Sequence, residues 1–287
     1  MSNLSKSEEN FYAKFHVAKN NKNIHMKIAI IGGGNLGTAF AEGLLNSKFC
    51  KAADITITKR NIATLKHLSD KGVHVTSNNN EAVKKSELIL LAVKPFQIAE
   101  VINGLKKNVT AKHVLVSVIT GVSLNDLAEM LKKKAVLFRA MPNTAIAIQQ
   151  SMTCISHCNA TTAQIQFVKQ LFETVGKVTM IEDKLMDAAT VLGACGTAYA
   201  MRYIRANIQG GIEIGFSALT ASLIAAQTVK GAAELLLQKG THPEQEIDKV
   251  TTPKGCTIAG LNEMEHQGFS SSLIKGIATS YNKIVKS

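Results

Sequence analysis

From Met26 onwards, short apolar runs alternate with segments in which apolar residues recur at helical spacing. A continuous apolar run is typical of a strand buried on both faces of a sheet, and the intervening segments are typical of amphipathic helices. Strands that alternate with helices predict a parallel, doubly wound α/β sheet. The predicted strands are Lys27–Ile31, Ile55–Thr58, Val73–Thr76, Leu88–Val93, His113–Val118 and Val136–Arg139.

The pattern changes near Met180, where the strand signal stops. From Asp183 to the end the sequence predicts helix after helix, with breaks at 210–211, 240–243 and 253–255. The second domain should therefore be all-α. The predicted organisation is a polar, mobile N-terminal extension over residues 1–25, a sheet domain over 26–181 and a helical domain over 182–287.

One predicted helix of the second domain, over 219–237, is apolar around most of its circumference. A small helical domain cannot cover such a wide apolar face by itself, so the pattern predicts an obligate dimer. The alternative is a fully buried central helix in a monomer.

Composition excludes several classes of function. The chain has 287 residues, 46% of them hydrophobic, and no apolar run of membrane-spanning length. The net charge of +12 comes from scattered lysines, Trp is absent and aromatic residues make up 5%. These features argue against nucleic-acid binding, but they suit a small polyanionic ligand.

The five cysteines are irregularly spaced, and residues 1–25 lack the features of a secretory or transit peptide. Reduced thiols and a cytoplasmic location are therefore expected. Cys154, His157 and Cys158 lie close in sequence, but no second ligand pair stands at a fitting distance. We expect no metal site.

A glycine-rich segment connects the first predicted strand to the first predicted helix. Gly32, Gly34 and Gly37 match the spacing G-x-G-x-x-G in the context that makes it meaningful. The first glycine permits a tight turn, the second lets the backbone approach a pyrophosphate, and the third lets helix and strand pack closely. The helix N-terminus supplies amides to phosphate. The segment predicts a dinucleotide site; the alternative is a purely structural turn.

The end of the second predicted strand bears on which dinucleotide binds. A site for NAD usually has a carboxylate there, which binds the ribose 2′-hydroxyl. This chain has Thr58, Lys59, Arg60 and Asn61 instead. Two cations suit a 2′-phosphate, so NADPH is expected, with NADH as the alternative cofactor. These side chains could instead only cap a surface turn.

Eight motifs occur in order along the chain, and together they are more specific than any one of them. They are Gly32–Gly37, Ala92–Pro95, Ser117–Gly121, Arg139–Thr144, Asp187-Ala188, Ala198-Tyr199, Gly210-Gly211 and Thr252–Thr257. In these motifs the chain resembles the pyrroline-5-carboxylate reductases, and the resemblance runs from Met26 to about Ile284.

The resemblance implies hydride transfer from NAD(P)H to the C=N carbon of 1-pyrroline-5-carboxylate, which gives L-proline. It also implies a Rossmann-type sheet domain followed by an all-α dimerisation domain, in homodimers that often assemble into ring-like decamers. The motifs and the resemblance together assign cofactor contacts to Gly32, Gly34, Asn35, Leu36, Gly37, Thr58, Lys59, Arg60, Asn61, Asn79, Ala92, Val93, Lys94, Pro95, Met141, Pro142 and Asn143.

The resemblance places the substrate carboxylate at the turn Thr252–Thr257. The amides of Gly255, Cys256 and Thr257 precede or begin a predicted helix and suit an anion. The hydroxyls of Thr252 and Thr257 can add hydrogen bonds, and Thr257 is the expected catalytic residue. A protonated imine is already electrophilic, so the absence of an obvious general acid fits this reaction. An N-capping turn is the alternative.

The chain departs from the family's usual pattern at three places. Lys254 stands where the family usually has glycine, Ala145 where proline is common, and residues 193–197 differ beside the expected substrate site. The alternatives are a reductase of the β-hydroxyacid dehydrogenase kind, which would need a lysine within the helix after Asp183, and a dinucleotide-binding regulator without catalysis.

Overall fold

A computed structural model describes residues 26–286, and the predicted mobile extension over 1–25 lies outside them. The chain forms two compact units, and the division falls between Ala194 and Cys195. The sequence places this division earlier, between residues 181 and 182, because the strand pattern stops there. Residues 183–194 are helical but belong to the first unit.

The first unit contains one eight-stranded sheet within residues 26–194. Its order is β3-β2-β1-β4-β5-β6-β7-β8, so the chain moves outwards from β1 and then returns to its other side. Ligands bind at such a point of reversal, beyond the carboxyl ends of the strands. The strands are β1 (Ile28–Ile31), β2 (Ile55–Thr58), β3 (His74–Thr76), β4 (Leu88–Leu91), β5 (Val114–Ser117), β6 (Val136–Met141), β7 (Ser151–Cys158) and β8 (Gly176–Met180).

Helices cover both faces of the sheet. Phe40 and Phe172 pack on one face with ring centroids 5.3 Å apart. Ile102 and Leu127 lie in the core on the other face. The α-helices of this unit are α1 (Asn35–Ser47), α2 (Lys66–Ser69), α3 (Asn79–Lys84), α4 (Ile98–Leu105), α5 (Leu124–Leu131), α6 (Thr162–Glu173) and α7 (Met186–Ala189), and a π-helical turn follows over Thr190–Cys195.

The six predicted strands are present, and the doubly wound α/β fold is confirmed, but β7 and β8 were not predicted. β7 runs antiparallel to β6, and β8 runs parallel to β7. β7 is rich in Ser, Thr, Cys and His, and β8 is a partly exposed edge strand with few apolar residues. Neither segment therefore has the continuous apolar run that marks a buried parallel strand.

The second unit is all-α over its described residues, as expected, but the predicted break at Gly210-Gly211 is wrong. A helix continues through both glycines, and the chain turns at Gly215, where φ is +112°. A Cβ on Gly211 would stand 3.1 Å from that of Ala221, so glycine lets two helices approach closely here. No helix within residues 26–286 is long and apolar enough to cross a membrane. The helices are α8 (Gly196–Glu213), α9 (Ala218–Lys239), α10 (Pro243–Lys249), α11 (Cys256–His266) and α12 (Phe269–Val285).

Candidate active site

A cavity of about 1020 Å³ lies at the carboxyl ends of β1 to β6, where the direction of the chain reverses. It is lined by the glycine turn after β1 and by residues 58–61, 92–95 and 141–144, at the ends of β2, β4 and β6. All the residues that the sequence assigned to the cofactor line this cavity except Gly37. The tertiary structure therefore brings together motifs that are separated by more than eighty residues in sequence.

The glycine turn has the geometry that its spacing predicts. Gly32 has φ +113°, and a Cβ there would stand 2.5 Å from the carbonyl oxygen of Ala92. A Cβ on Gly37 would stand 2.1 Å from the carbonyl oxygen of Gly32, so Gly37 serves packing and does not face the cavity. A Cβ on Gly34 would meet no atom within 4 Å. The backbone at Gly34 is therefore open to a close approach by a ligand.

The N-terminus of α1 is suited to bind phosphate. The N-cap is Gly34, no side chain caps it, and the first turn carries no acidic residue. The first amides of a helix have no helical partner and carry partial positive charge. Lys59, Arg60 and Lys94 add three cations to the cavity lining, against one carboxylate, Glu100. The residues present therefore fit a phosphorylated dinucleotide.

The segment after β2 divides its side chains between structure and ligand. The Thr58 hydroxyl accepts a hydrogen bond from the Gly32 amide at 3.3 Å, and the Thr58 side chain is buried, so it secures the glycine turn. Asn61 Oδ1 accepts from the Ala63 amide at 3.2 Å and caps a short 3₁₀ helix. Arg60 lines the cavity with an exposed side chain. Of these three side chains, Arg60 is therefore the best placed for a ligand phosphate.

The loop after β6 forms another part of the wall. Asn143 Oδ1 accepts from the Ala145 amide at 3.1 Å, and its Nδ2 donates to the Gly193 carbonyl at 3.2 Å. The backbone amide of Asn143 donates to Ser151 Oγ at 3.1 Å. Four strand positions separate this loop from Arg60, roughly 19 Å at the usual strand spacing. An extended ligand can therefore reach from one to the other across the glycine turn.

Two family models match separate parts of the chain. The model described as pyrroline-5-carboxylate reductase dimerisation matches residues 183–286, and that described as NADP oxidoreductase, coenzyme F420-dependent, matches residues 27–121. Pyrroline-5-carboxylate reductase 2 of Dictyostelium discoideum is 41% identical over 94% of this chain and 94% of its own length. The chain belongs to the pyrroline-5-carboxylate reductase family.

Two further proteins of this family are similar to the chain, one in sequence and one in structure. Pyrroline-5-carboxylate reductase 1 of D. discoideum is 47% identical over 89% of this chain, which spans only about half (49%) of that relative's length. The solved structure of the Plasmodium falciparum pyrroline carboxylate reductase, with NADP bound, superposes with a TM-score of 0.82 at 25% identity. That match covers 90% of this chain and 96% of the Plasmodium chain.

In the present chain, the turn Thr252–Thr257, which the sequence analysis assigned to the substrate, lies in the second unit. Gly255 is the N-cap of α11, and no side chain caps the helix. The Gly255 amide donates to the Thr252 carbonyl at 2.9 Å, so it is already engaged, contrary to the expectation that it binds a carboxylate. The amides of Cys256 and Thr257 lie in the first helical turn, where N–H groups have no helical partner.

Lys254, the departure in that turn, has a left-handed backbone conformation with φ +59°. L-residues other than glycine adopt this conformation at a cost of roughly 1 kcal/mol. This geometry explains why glycine suits the position, and the Lys254 side chain is exposed.

The sequence analysis missed part of the cavity wall. The missed residues come from the end of β1, the glycine turn, the segment after β3, the stretch that enters and forms the helix α4, and the loop after β5. Gly33 lies within the family motif 32–37 and the loop after β5 within the motif 117–121, so these two places carried a signal in the sequence. Thr144 and Ala194 also line the cavity, and they belong to the motif 139–144 and the segment 193–197 that the sequence analysis had singled out. The missed residues are Ile31, Gly33, Ser77, Asn80, Gln97, Glu100, Val101, Gly104, Leu105, Val118, Ile119 and Thr120.

Proposed function

We propose that this chain reduces 1-pyrroline-5-carboxylate to L-proline with hydride from NADPH. The observation that carries the proposal is the cavity, which joins a glycine turn, a helix N-terminus, the cationic segment 58–61 and the loop 141–144 in one space. Family membership supports the reaction class, an oxidoreductase acting on a CH–NH group.

The cofactor residues divide into three groups in this proposal. The amides at the start of α1 bind the pyrophosphate, and Arg60, with Lys59, binds a 2′-phosphate. The loop 141–144 borders the nicotinamide, which supplies the hydride when bound. Asn79 and the segment 92–95 border the remainder of the cofactor, and NADH binds more weakly because it lacks the phosphate that Arg60 pairs with.

The turn Thr252–Thr257 serves the substrate. The amides of Cys256 and Thr257 bind the carboxylate, and the Thr257 hydroxyl oxygen accepts a hydrogen bond from the N–H of the protonated imine. A protonated imine needs no enzymic acid to become electrophilic, so the protein's contribution is to anchor, orient and exclude water. Orientation of this kind can contribute about 7–11 kcal/mol to lowering a barrier.

One assay tests the function against its alternatives. NADPH consumption is followed with 1-pyrroline-5-carboxylate and, separately, with β-hydroxyacid dehydrogenase substrates. Turnover with the first alone supports the proposal. Turnover with β-hydroxyacids would assign the chain to the other reductase class, and tight NADPH binding without turnover of either would identify a non-catalytic regulator.

The second unit forms a homodimer in this proposal. Apolar side chains of α9 are exposed in the single chain, with Leu219 83%, Leu223 71% and Leu237 70% exposed. Such a face destabilises a soluble monomer unless a second copy covers it. Light scattering at micromolar concentration distinguishes a dimer, or a decamer built from five dimers, from a particle of 30.8 kDa, the mass of one chain. A particle of that mass would refute the dimer.

We place the enzyme in the cytoplasm. Its cysteines are free thiols among the described residues, and thiols persist in a reducing compartment. Fractionation of cells that express the full chain tests this location.

A further inference from the structure

Arg139 is a buried cation near the cavity that does not itself line it. It lies on β6, two residues before Met141, and is 3% exposed. Its neighbours across the sheet are Ser117 on β5 and Ser156 on β7. A charge buried this deeply needs partners, because its desolvation is costly.

Two carboxylates pair with the Arg139 guanidinium. Nη1 lies 3.3 Å from Asp183 Oδ1, and Nη2 lies 3.0 Å from Asp187 Oδ1. Asp183 also accepts from Ser156 Oγ at 2.7 Å and from the Leu124 amide at 3.2 Å. Asp183 thus joins β6, β7 and the start of α5, whereas Asp187 lies on α7 and connects Arg139 to the segment that follows.

Stability alone gives a weak account of this cluster. A buried ion pair is often no more stabilising than apolar residues of the same volume, because desolvation offsets the attraction. Arg139 Nε is buried without a hydrogen-bond partner among the described residues, which adds a further cost. What the arrangement supplies is geometry, since a planar guanidinium fixes the positions of two carboxylates at once.

The segment after Asp187 forms part of the cavity wall. Helix α7 leads directly into the π-helical turn Thr190–Cys195. This conformation is rare in proteins as a whole, but where it occurs it is often found at functional sites. Gly193 accepts from Asn143 Nδ2 at 3.2 Å, and Ala194 lines the cavity. The strand β6 and its loop therefore hold this segment at two points, Asp187 and Gly193.

We propose that Arg139 is a positioning residue for hydride transfer. By pairing with Asp187, Arg139 holds the 187–194 segment against the end of β6. It thereby fixes the position of the part of the cavity wall that faces the loop 141–144. The inference rests on the proposed function, because this loop is the part of the cavity assigned to the nicotinamide. Arg139 itself does not line the cavity, so it acts through this segment and not on the reacting atoms.

The test is Asp187→Asn, which keeps the shape and an acceptor oxygen but removes the charge that pairs with Arg139. We expect kcat with 1-pyrroline-5-carboxylate to fall about tenfold, since small misplacements at a reacting centre are costly. Affinity for 2′,5′-ADP, which reaches only the Arg60 end, should stay within about twofold of wild type. The emission of bound NADPH should move towards that of the free cofactor.

Asp126→Asn is the matched control. Asp126 accepts from the Ser123 amide and hydroxyl at the start of α5, and these hydrogen bonds, with a smaller contribution from Arg139, lower its pKa. The control makes the same chemical change in the same unit, away from the 187–194 segment. It should lower the melting temperature and leave kcat and the emission near wild type.

Arg139→Lys is the second variant, because it keeps the buried positive charge but loses the planar guanidinium whose two Nη groups pair with Asp183 and Asp187. It should reproduce the kcat loss of Asp187→Asn. The proposal is overturned if Asp187→Asn lowers only the melting temperature, or if it weakens 2′,5′-ADP as much as NADPH. The emission measurement needs no substrate, so it still tests the positioning if the wild type fails to reduce 1-pyrroline-5-carboxylate.

Discussion

Replacing Arg60 by alanine should weaken NADPH binding by about ten- to a hundredfold and leave NADH binding nearly unchanged. Arg60 lines the cavity beyond β2 with an exposed side chain. A hydrogen bond to a charged group contributes about 1.5–3 kcal/mol, and about 1.4 kcal/mol corresponds to a factor of ten in affinity. The solvent around Arg60 places the effect in the lower part of that range.

Titration calorimetry with both cofactors measures the two affinities, at low and at high salt. Lys66→Ala is the control, because Lys66 is exposed on α2 and does not line the cavity. This substitution removes the same unit of positive charge as Arg60→Ala. Equal losses for NADPH and NADH in Arg60→Ala would refute the 2′-phosphate assignment. A loss of the same size in Lys66→Ala would show that only the general charge matters.

Three further changes have definite expected outcomes. Thr257→Ala should lower kcat/KM for 1-pyrroline-5-carboxylate about ten- to a hundredfold at unchanged cofactor affinity. Thr251→Ala is the control, because the Thr251 hydroxyl donates to the Ile247 carbonyl at 2.8 Å. A lower melting temperature of Thr257→Ala with full activity would mean that Thr257 only supports the helix. Lys254→Gly should raise the free energy of unfolding by up to about 1 kcal/mol in urea titrations, because it relieves the left-handed strain at φ +59°; Lys254→Ala should not, and equal gains in both variants would contradict the strain argument. Burial, with a smaller contribution from Asp54, raises the pKa of the Cys50 thiol to about 12, so at pH 8 iodoacetamide should label it slowly in the folded protein and rapidly in urea; equal rates would contradict its burial.

The sequence was sufficient for the parts of the fold that carry a local signal. Among β1 to β6, all strands except the partly exposed β3 are buried, and buried parallel strands are predictable because they are nearly continuous apolar runs. The glycine turn was predicted because its spacing follows a strand and precedes a helix. β7 and β8 were missed because polar residues and an exposed edge remove that signal.

The candidate site divides in the same way. Residues in motifs, such as Gly34, Arg60 and Asn143, were assigned from the sequence and line one cavity. Residues of α4, such as Val101 and Gly104, were missed because nothing in their local pattern distinguishes a helix face that borders a ligand from one that borders solvent. Their proximity to the glycine turn depends on how the helix packs against the sheet.

The sequence by itself determined the doubly wound sheet, the change to an all-α second unit and the glycine turn after β1, because each depends on neighbouring residues. Only the tertiary structure decided that Arg139 pairs with Asp183 and Asp187, which lie 44 and 48 residues further along the chain. It also decided that the Gly255 amide is engaged by Thr252. Side chains distant in sequence meet only when strand order and helix packing are set, and no local pattern encodes those distances.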